Sequence, residues 1–147
     1  MILKVKRLTH TALLPKRATD GAAGYDLFAD LSEEVIIPPG GRAMIPTGIS
    51  IALPGSEYAA LVYARSGLAV KHGITLSNGV GVVDSDYRGE IKVGLVNLSE
   101  EAFTVKPQDR IAQLVISPVV IPDLAESADL EETERGAGGF GSTGLSS

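Results

Sequence analysis

The chain has no cysteine and no tryptophan, only two histidines, and an aromatic content of 5% over 147 residues. Without cysteine there is no disulfide, no thiolate nucleophile and no zinc–sulfur centre, and two histidines give little for a histidine-rich metal site. A cytoplasmic setting fits that composition. No segment approaches the ~18 uninterrupted apolar residues of a membrane-spanning helix. The opening MILKVKRLTH is charged and alternating rather than a leader with a cleavage site. A soluble, unprocessed chain with no membrane partner is expected. A basic excess is missing too: the formal net charge is −5, which disfavours long DNA or RNA, since binding them depends on neutralising phosphates. A small phosphorylated ligand stays open, because a few focused Arg and Lys groups with a divalent cation outweigh a weak overall field.

Hydrophobic residues make up 44% of the chain, and with so few aromatics the core must be built from Val, Ile, Leu and Ala. Seventeen Gly and eight Pro imply many tight connections between short strands. The expectation is one all-β domain over residues 1–125. Alternation and turn signals predict strands over Ile2–Arg7, Tyr25–Phe28, Val35–Ile37, Arg42–Ile45, Ile49–Leu53, Tyr58–Tyr63, Ile74–Val83, Glu90–Asn97, Phe103–Val105 and Ile111–Val120. The one helical turn expected is Ser66–Val70. Residues 126–134 hold five acids in nine positions and read as a solvated acidic linker or a helical turn.

The last thirteen residues, RGAGGFGSTGLSS from Arg135 to Ser147, have the composition of a phosphate cradle. Gly136, Gly138 and Gly141 spell G-x-G-x-x-G, yet no strand precedes them and only six residues follow, so the dinucleotide fingerprint fails on context. A Walker-type loop fails as well, because Ser142 stands where its lysine belongs. What remains is a cation at Arg135, glycines that let backbone N–H groups approach oxygen anions, two hydroxyls and Phe140. A plain Gly/Ser tail is the alternative. Such an arm would act on a site elsewhere, on another copy of the chain.

The densest chemistry lies at GVVDSDYRGEIKVGLVN, residues 81–97, where an apolar strand delivers Asp84, Asp86, Tyr87 and Arg88 into a Gly-ended turn. A hairpin whose Asp merely caps the turn backbone is the alternative. Upstream, ARSGLAVKHGI at 64–74 places a guanidinium, a hydroxyl and a glycine in succession, the chemistry of an anion clamp. DRIAQLVI at 109–116 sets Gln113 inside an apolar strand, where an amide needs hydrogen-bond partners, either at a site or within the core.

In order, AAGYDLFA (22–29), ARSGLAVKHGI (64–74), NGVGVVDSDYRGEIKVGLVN (78–97), DRIAQL (109–114) and RGAGGFGSTG (135–144) resemble the five motifs of the trimeric deoxyuridine triphosphate nucleotidohydrolase (dUTPase) family. Two positions depart from the pattern: Ala64 stands where the second motif has Pro, and Gln108 where the fourth has Gly.

The resemblance implies a jelly-roll-like β-barrel of the β-clip type, a homotrimer, and a flexible C-terminal arm (135–147) closing a site of the trimer. It implies hydrolysis of dUTP to dUMP and pyrophosphate, which limits uracil in DNA and supplies dUMP for dTMP synthesis. Asp84 would be the base that activates water for attack on the α-phosphorus. Arg65, Ser66 and Gly67 would bind phosphates, with Gln113 completing the polar frame around the substrate and Asp26 holding a Mg2+ shell through water. Asn78, Val82 and Val83 would read the uracil edge, Tyr87 would pack under the deoxyribose and exclude a 2′-hydroxyl, and Lys92 would lie near the ligand. Arg135, Gly141, Ser142 and Thr143 would close over the phosphates, and Phe140 would stack on the base. The bland alternatives are turn roles for Asn78, surface placement for Tyr87 and Phe140, and a solvated charge at Lys92. Rival functions are deamination of dCTP on a related fold and nucleotide binding without turnover.

Overall fold

A computed structural model describes residues 1–139, which form eleven strands and one short helix. The strands are β1 (Lys4–Arg7), β2 (Tyr25–Phe28), β3 (Val35–Ile37), β4 (Arg42–Pro46), β5 (Ile49–Ala52) and β6 (Tyr58–Tyr63). After α1 (Ser66–His72) come β7 (Ile74–Leu76), β8 (Gly81–Val83), β9 (Lys92–Asn97), β10 (Phe103–Val105) and β11 (Arg110–Pro118). All pairings are antiparallel. They build sheets β2-β11-β6-β8 and β4-β9-β7 with the ribbons β1-β5 and β3-β10.

Alternation decides which side chains enter the core. Along β9, Val93, Leu95 and Asn97 point inward while Lys92 stays exposed. Val93 and Leu95 meet Leu27, Ile37, Ile45, Ile74, Ile111 and Leu114 in one cluster of almost wholly buried aliphatics. Burying each such side chain contributes about 1.5–3 kcal/mol.

Asn97 is the polar exception, with no exposed surface. Its Nδ2 donates to Ile37 O at 2.9 Å and Glu101 O at 2.7 Å, while its Oδ1 accepts from the N–H and Oγ of Ser99 at 2.9 and 2.8 Å. Fully partnered, the amide ties β9 to β3 and to the following loop.

Several expected bounds shift for local reasons. The single strand expected over Ile74–Val83 is two, β7 and β8, in different sheets. Asn78-Gly79 breaks it, with Gly79 at φ 73° in a turn closed by its N–H to Leu76 O at 3.1 Å. The strand expected from Glu90 begins at Lys92, because Ile91 bonds instead to the β4–β5 turn: its N–H to Ile49 O at 2.9 Å, its O to Thr47 Oγ1 at 2.6 Å. The helical turn extends to His72 and ends at Gly73, φ 65°, whose N–H returns to Ala69 O. Residues 120–138 are exposed and carry no strand or helix.

Candidate active site

The chemistry-bearing side chains fall into two groups. The first lies on one face of the β2–β11–β6 ladder, where Gln113 stands opposite Asp26 on one side and Tyr63 on the other. Directly opposed residues of antiparallel strands share a face. Arg65, at the N-terminal boundary of α1, donates from Nε to Asp26 Oδ1 at 3.0 Å and from Nη1 to Arg110 O at 3.1 Å. Arg110 Nη1 reaches Asp26 Oδ2 at 3.3 Å. One buried carboxylate therefore sits between two guanidiniums, which leaves an excess of positive charge suited to a polyanion.

Arg110 reaches that face through a bulge. Strict alternation sets Arg110 and Gln113 on opposite faces, but the β2–β11 register shifts between Arg110 and Ala112, so Arg110 pairs with Phe28 and Gln113 with Asp26. Both Ile111 and Ala112 turn inward as a result. Ser66 and Gly67 open α1 and are exposed, with open space where a Gly67 Cβ would stand. Gln113, expected in a buried strand, is half-buried. Among the described residues no buried side-chain nitrogen or oxygen is left without a partner, so its amide is no orphaned core group.

The second group surrounds a cleft of about 480 Å³ lined by Asn78, Val82, Val83, Asp84, Tyr87 and Lys92 together with Met44, Val62, Gly81, Glu90, Ile91 and Gly94. Its upper wall is β8, an edge strand paired only with β6 among the described residues. The free edge of such a strand presents unpaired N–H and C=O groups. Its floor includes Gly94, where a Cβ would crowd Ser77 Oγ at 2.6 Å. Asp84 is exposed at the end of β8. Its backbone O accepts from the Tyr87 N–H at 3.2 Å, while its carboxylate caps no backbone group among the described residues. Tyr87 Oη donates to Glu90 O at 3.0 Å, and Lys92 Nζ lies 3.5 Å from Glu90 Oε2.

Among the described residues, Asp84 and Arg65 line different clefts of one chain. That of Arg65, of about 410 Å³, is lined also by Arg110, Lys106, His72 and Asp109. Arg135 is exposed and donates from Nε to Gly138 O at 2.8 Å within its own turn. The expected ligands Phe140, Gly141, Ser142 and Thr143 lie outside the described residues.

Sequence reasoning missed Arg110, Glu90 and Gly94. Arg110 and Glu90 sit inside the motifs it singled out, but only the bulge and the turn contacts show where they point.

Among the described residues no group of three or more His, Asp or Glu could cage a metal ion. The donor set is one carboxylate, Asp26, whose two oxygens each already accept from an arginine. That set fits a Mg2+ ion whose direct ligands would be phosphates and water, toward which Asp26 would act only as an acceptor from bound water.

A family model described as dUTPase matches residues 10–144. A deoxyuridine 5′-triphosphate nucleotidohydrolase of Desulfitobacterium hafniense is 56% identical over 133 residues, covering 90% of this chain and 88% of that protein. One from Oryza sativa is 53% identical over 144 residues, covering 98% and 81%. Among solved structures, the dUTPase of Staphylococcus bacteriophage 80alpha with dUpNHpp matches with a TM-score of 0.88 at 29% identity, covering 98% of this chain and 99% of that one. A variant dUTPase from phage phi11 of S. aureus, described with a structural Mg(II) ion, matches with a TM-score of 0.80 at 25% identity, covering 90% and 100%. On this match over nearly its whole length, the chain belongs to the dUTPase family.

Proposed function

We propose that this chain hydrolyses dUTP to dUMP and pyrophosphate, with Asp84 as the general base toward a water that attacks the α-phosphorus. The observation that carries this reading is the Asp84 carboxylate itself: it is exposed, lines the β8 cleft and does not cap its own turn. A carboxylate left to solvent beside a ligand-sized cleft is available to accept a proton from water.

The cleft suits a pyrimidine nucleoside. The backbone around Val82 and Val83, on the edge strand that lines the cleft, would act as a base-pair mimic, with Asn78 and Tyr87 in the same lining. Phosphates would lie against Arg65, Ser66, Gly67 and Gln113, where the guanidiniums of Arg65 and Arg110 outnumber the carboxylate of Asp26. Mg2+ bound by the triphosphate would neutralise charge there. Because Asp84 and Arg65 line different clefts of one chain, a complete site would join the third motif of one protomer to the first, second and fourth of another. The family resemblance extends this to a jelly-roll homotrimer, in which Arg135, Phe140, Gly141, Ser142 and Thr143 of the C-terminal arm would close over the nucleotide. The reaction would keep uracil out of DNA and supply dUMP for dTMP synthesis in the cytoplasm.

Turnover in H2 18O tests the step. Label in dUMP and none in pyrophosphate is expected; label in pyrophosphate would move the attack to the β-phosphorus and remove Asp84 from its assigned place.

A further inference from the structure

The ring of Tyr87 is held in place by a device that has its own residue. Tyr87 Oη donates to Glu90 O at 3.0 Å, folding the phenol back across the turn over Gly89. A Cβ at position 89 would overlap the hydroxyl oxygen and stand 2.5 Å from Cζ and 2.9 Å from Cε2. Gly89 lies outside the left-handed region, so its backbone tolerates alanine and the tyrosine ring is the obstacle.

The anchor is itself fixed to the core. Glu90 Oε1 accepts from the Gly48 N–H at 2.9 Å, and the N–H of the next residue, Ile91, donates to Ile49 O at 2.9 Å. The carbonyl that receives the Tyr87 hydroxyl is thus set by the β4–β5 turn rather than by a free loop. A ring held at its far end by such a bond cannot swing aside for a larger sugar without losing it.

We infer that Gly89 and the Tyr87 hydroxyl are specificity-determining: the missing side chain at 89 permits the bond to Glu90 O, and that bond holds the ring where it excludes a 2′-hydroxyl. This rests on Tyr87 being the side chain that packs under the deoxyribose.

The test is kcat/KM for dUTP and for UTP in Tyr87→Phe, Gly89→Ala and Tyr87→Ala. Tyr87→Phe removes one oxygen and keeps the ring's bulk, and it carries the test even if Gly89→Ala does not fold. The dUTP:UTP preference should fall about three- to tenfold in Tyr87→Phe, the range of one lost hydrogen bond, and further in Gly89→Ala. The loss should come from faster UTP turnover, which simple destabilisation would not produce. An unchanged preference in both, with Tyr87→Ala losing it, overturns the inference and leaves Tyr87 as the excluding side chain. An unchanged preference in Tyr87→Ala overturns both.

Discussion

Gln108 carries the one left-handed backbone among non-glycine residues described, with φ 65°. Its N–H donates to Ala29 O at 2.8 Å in the turn that leads into β11, so the conformation is imposed by a bond to the β2 end. A Cβ in that region is unfavourable by about 1–2 kcal/mol, part of which a glycine's extra freedom in the unfolded chain offsets. Gln108→Gly should therefore raise the urea midpoint, by up to about 1 kcal/mol of stability; a lower midpoint would show that the glutamine side chain contributes more than the strain removes. Asp84 belongs to the same scale. Asp84→Asn should retain nucleotide binding by calorimetry and lose orders of magnitude in turnover, since only the proton-accepting group is changed. Near-normal turnover would sink its assignment as base.

Among elements, the pair β9 and β11 shows what could be read from sequence and what could not. Strand spacing, turns at Pro and Gly, and the inward run of β9 follow from alternation, so the all-β class and most of the strands were legible. Interruptions were not: an Asn-Gly turn splits β7 from β8, and Ile91 joins the β4–β5 turn instead of the β9 ladder. The bulge in β11 moves Arg110 onto the face of Asp26, a change of parity that no period of two contains. Gln113 stands out as a polar residue in an apolar strand, yet the wholly buried amide is Asn97 at the end of β9, where nothing in the local pattern marks it. Asn97→Ala would leave Ile37 O and Glu101 O without that donor, at about 1–3 kcal/mol for each buried group unsatisfied. A loss of roughly 3 kcal/mol in denaturant unfolding is expected; a loss under about 1 kcal/mol would show that water replaces the amide.

At the scale of the whole molecule, one chain leaves much of its apolar surface uncovered. Helix α1 buries none of its residues, Val70 is 86% exposed, and Val120, Leu124 and Leu130 of the extended C-terminal segment are 92%, 95% and 88% exposed. In the proposed trimer, other copies would cover such side chains. Deleting 135–147 should leave the number of chains per assembly unchanged by light scattering, with little dUTP turnover. Full turnover in the truncated protein would remove the arm from the site.

The most direct measurement is product identification after incubating the intact protein with magnesium and dUTP, UTP, dCTP or dTTP in turn. Pyrophosphate and dUMP from dUTP, with no turnover of the other three, is the predicted result. Ammonia from dCTP, or bound dUTP that persists unhydrolysed, would contradict it.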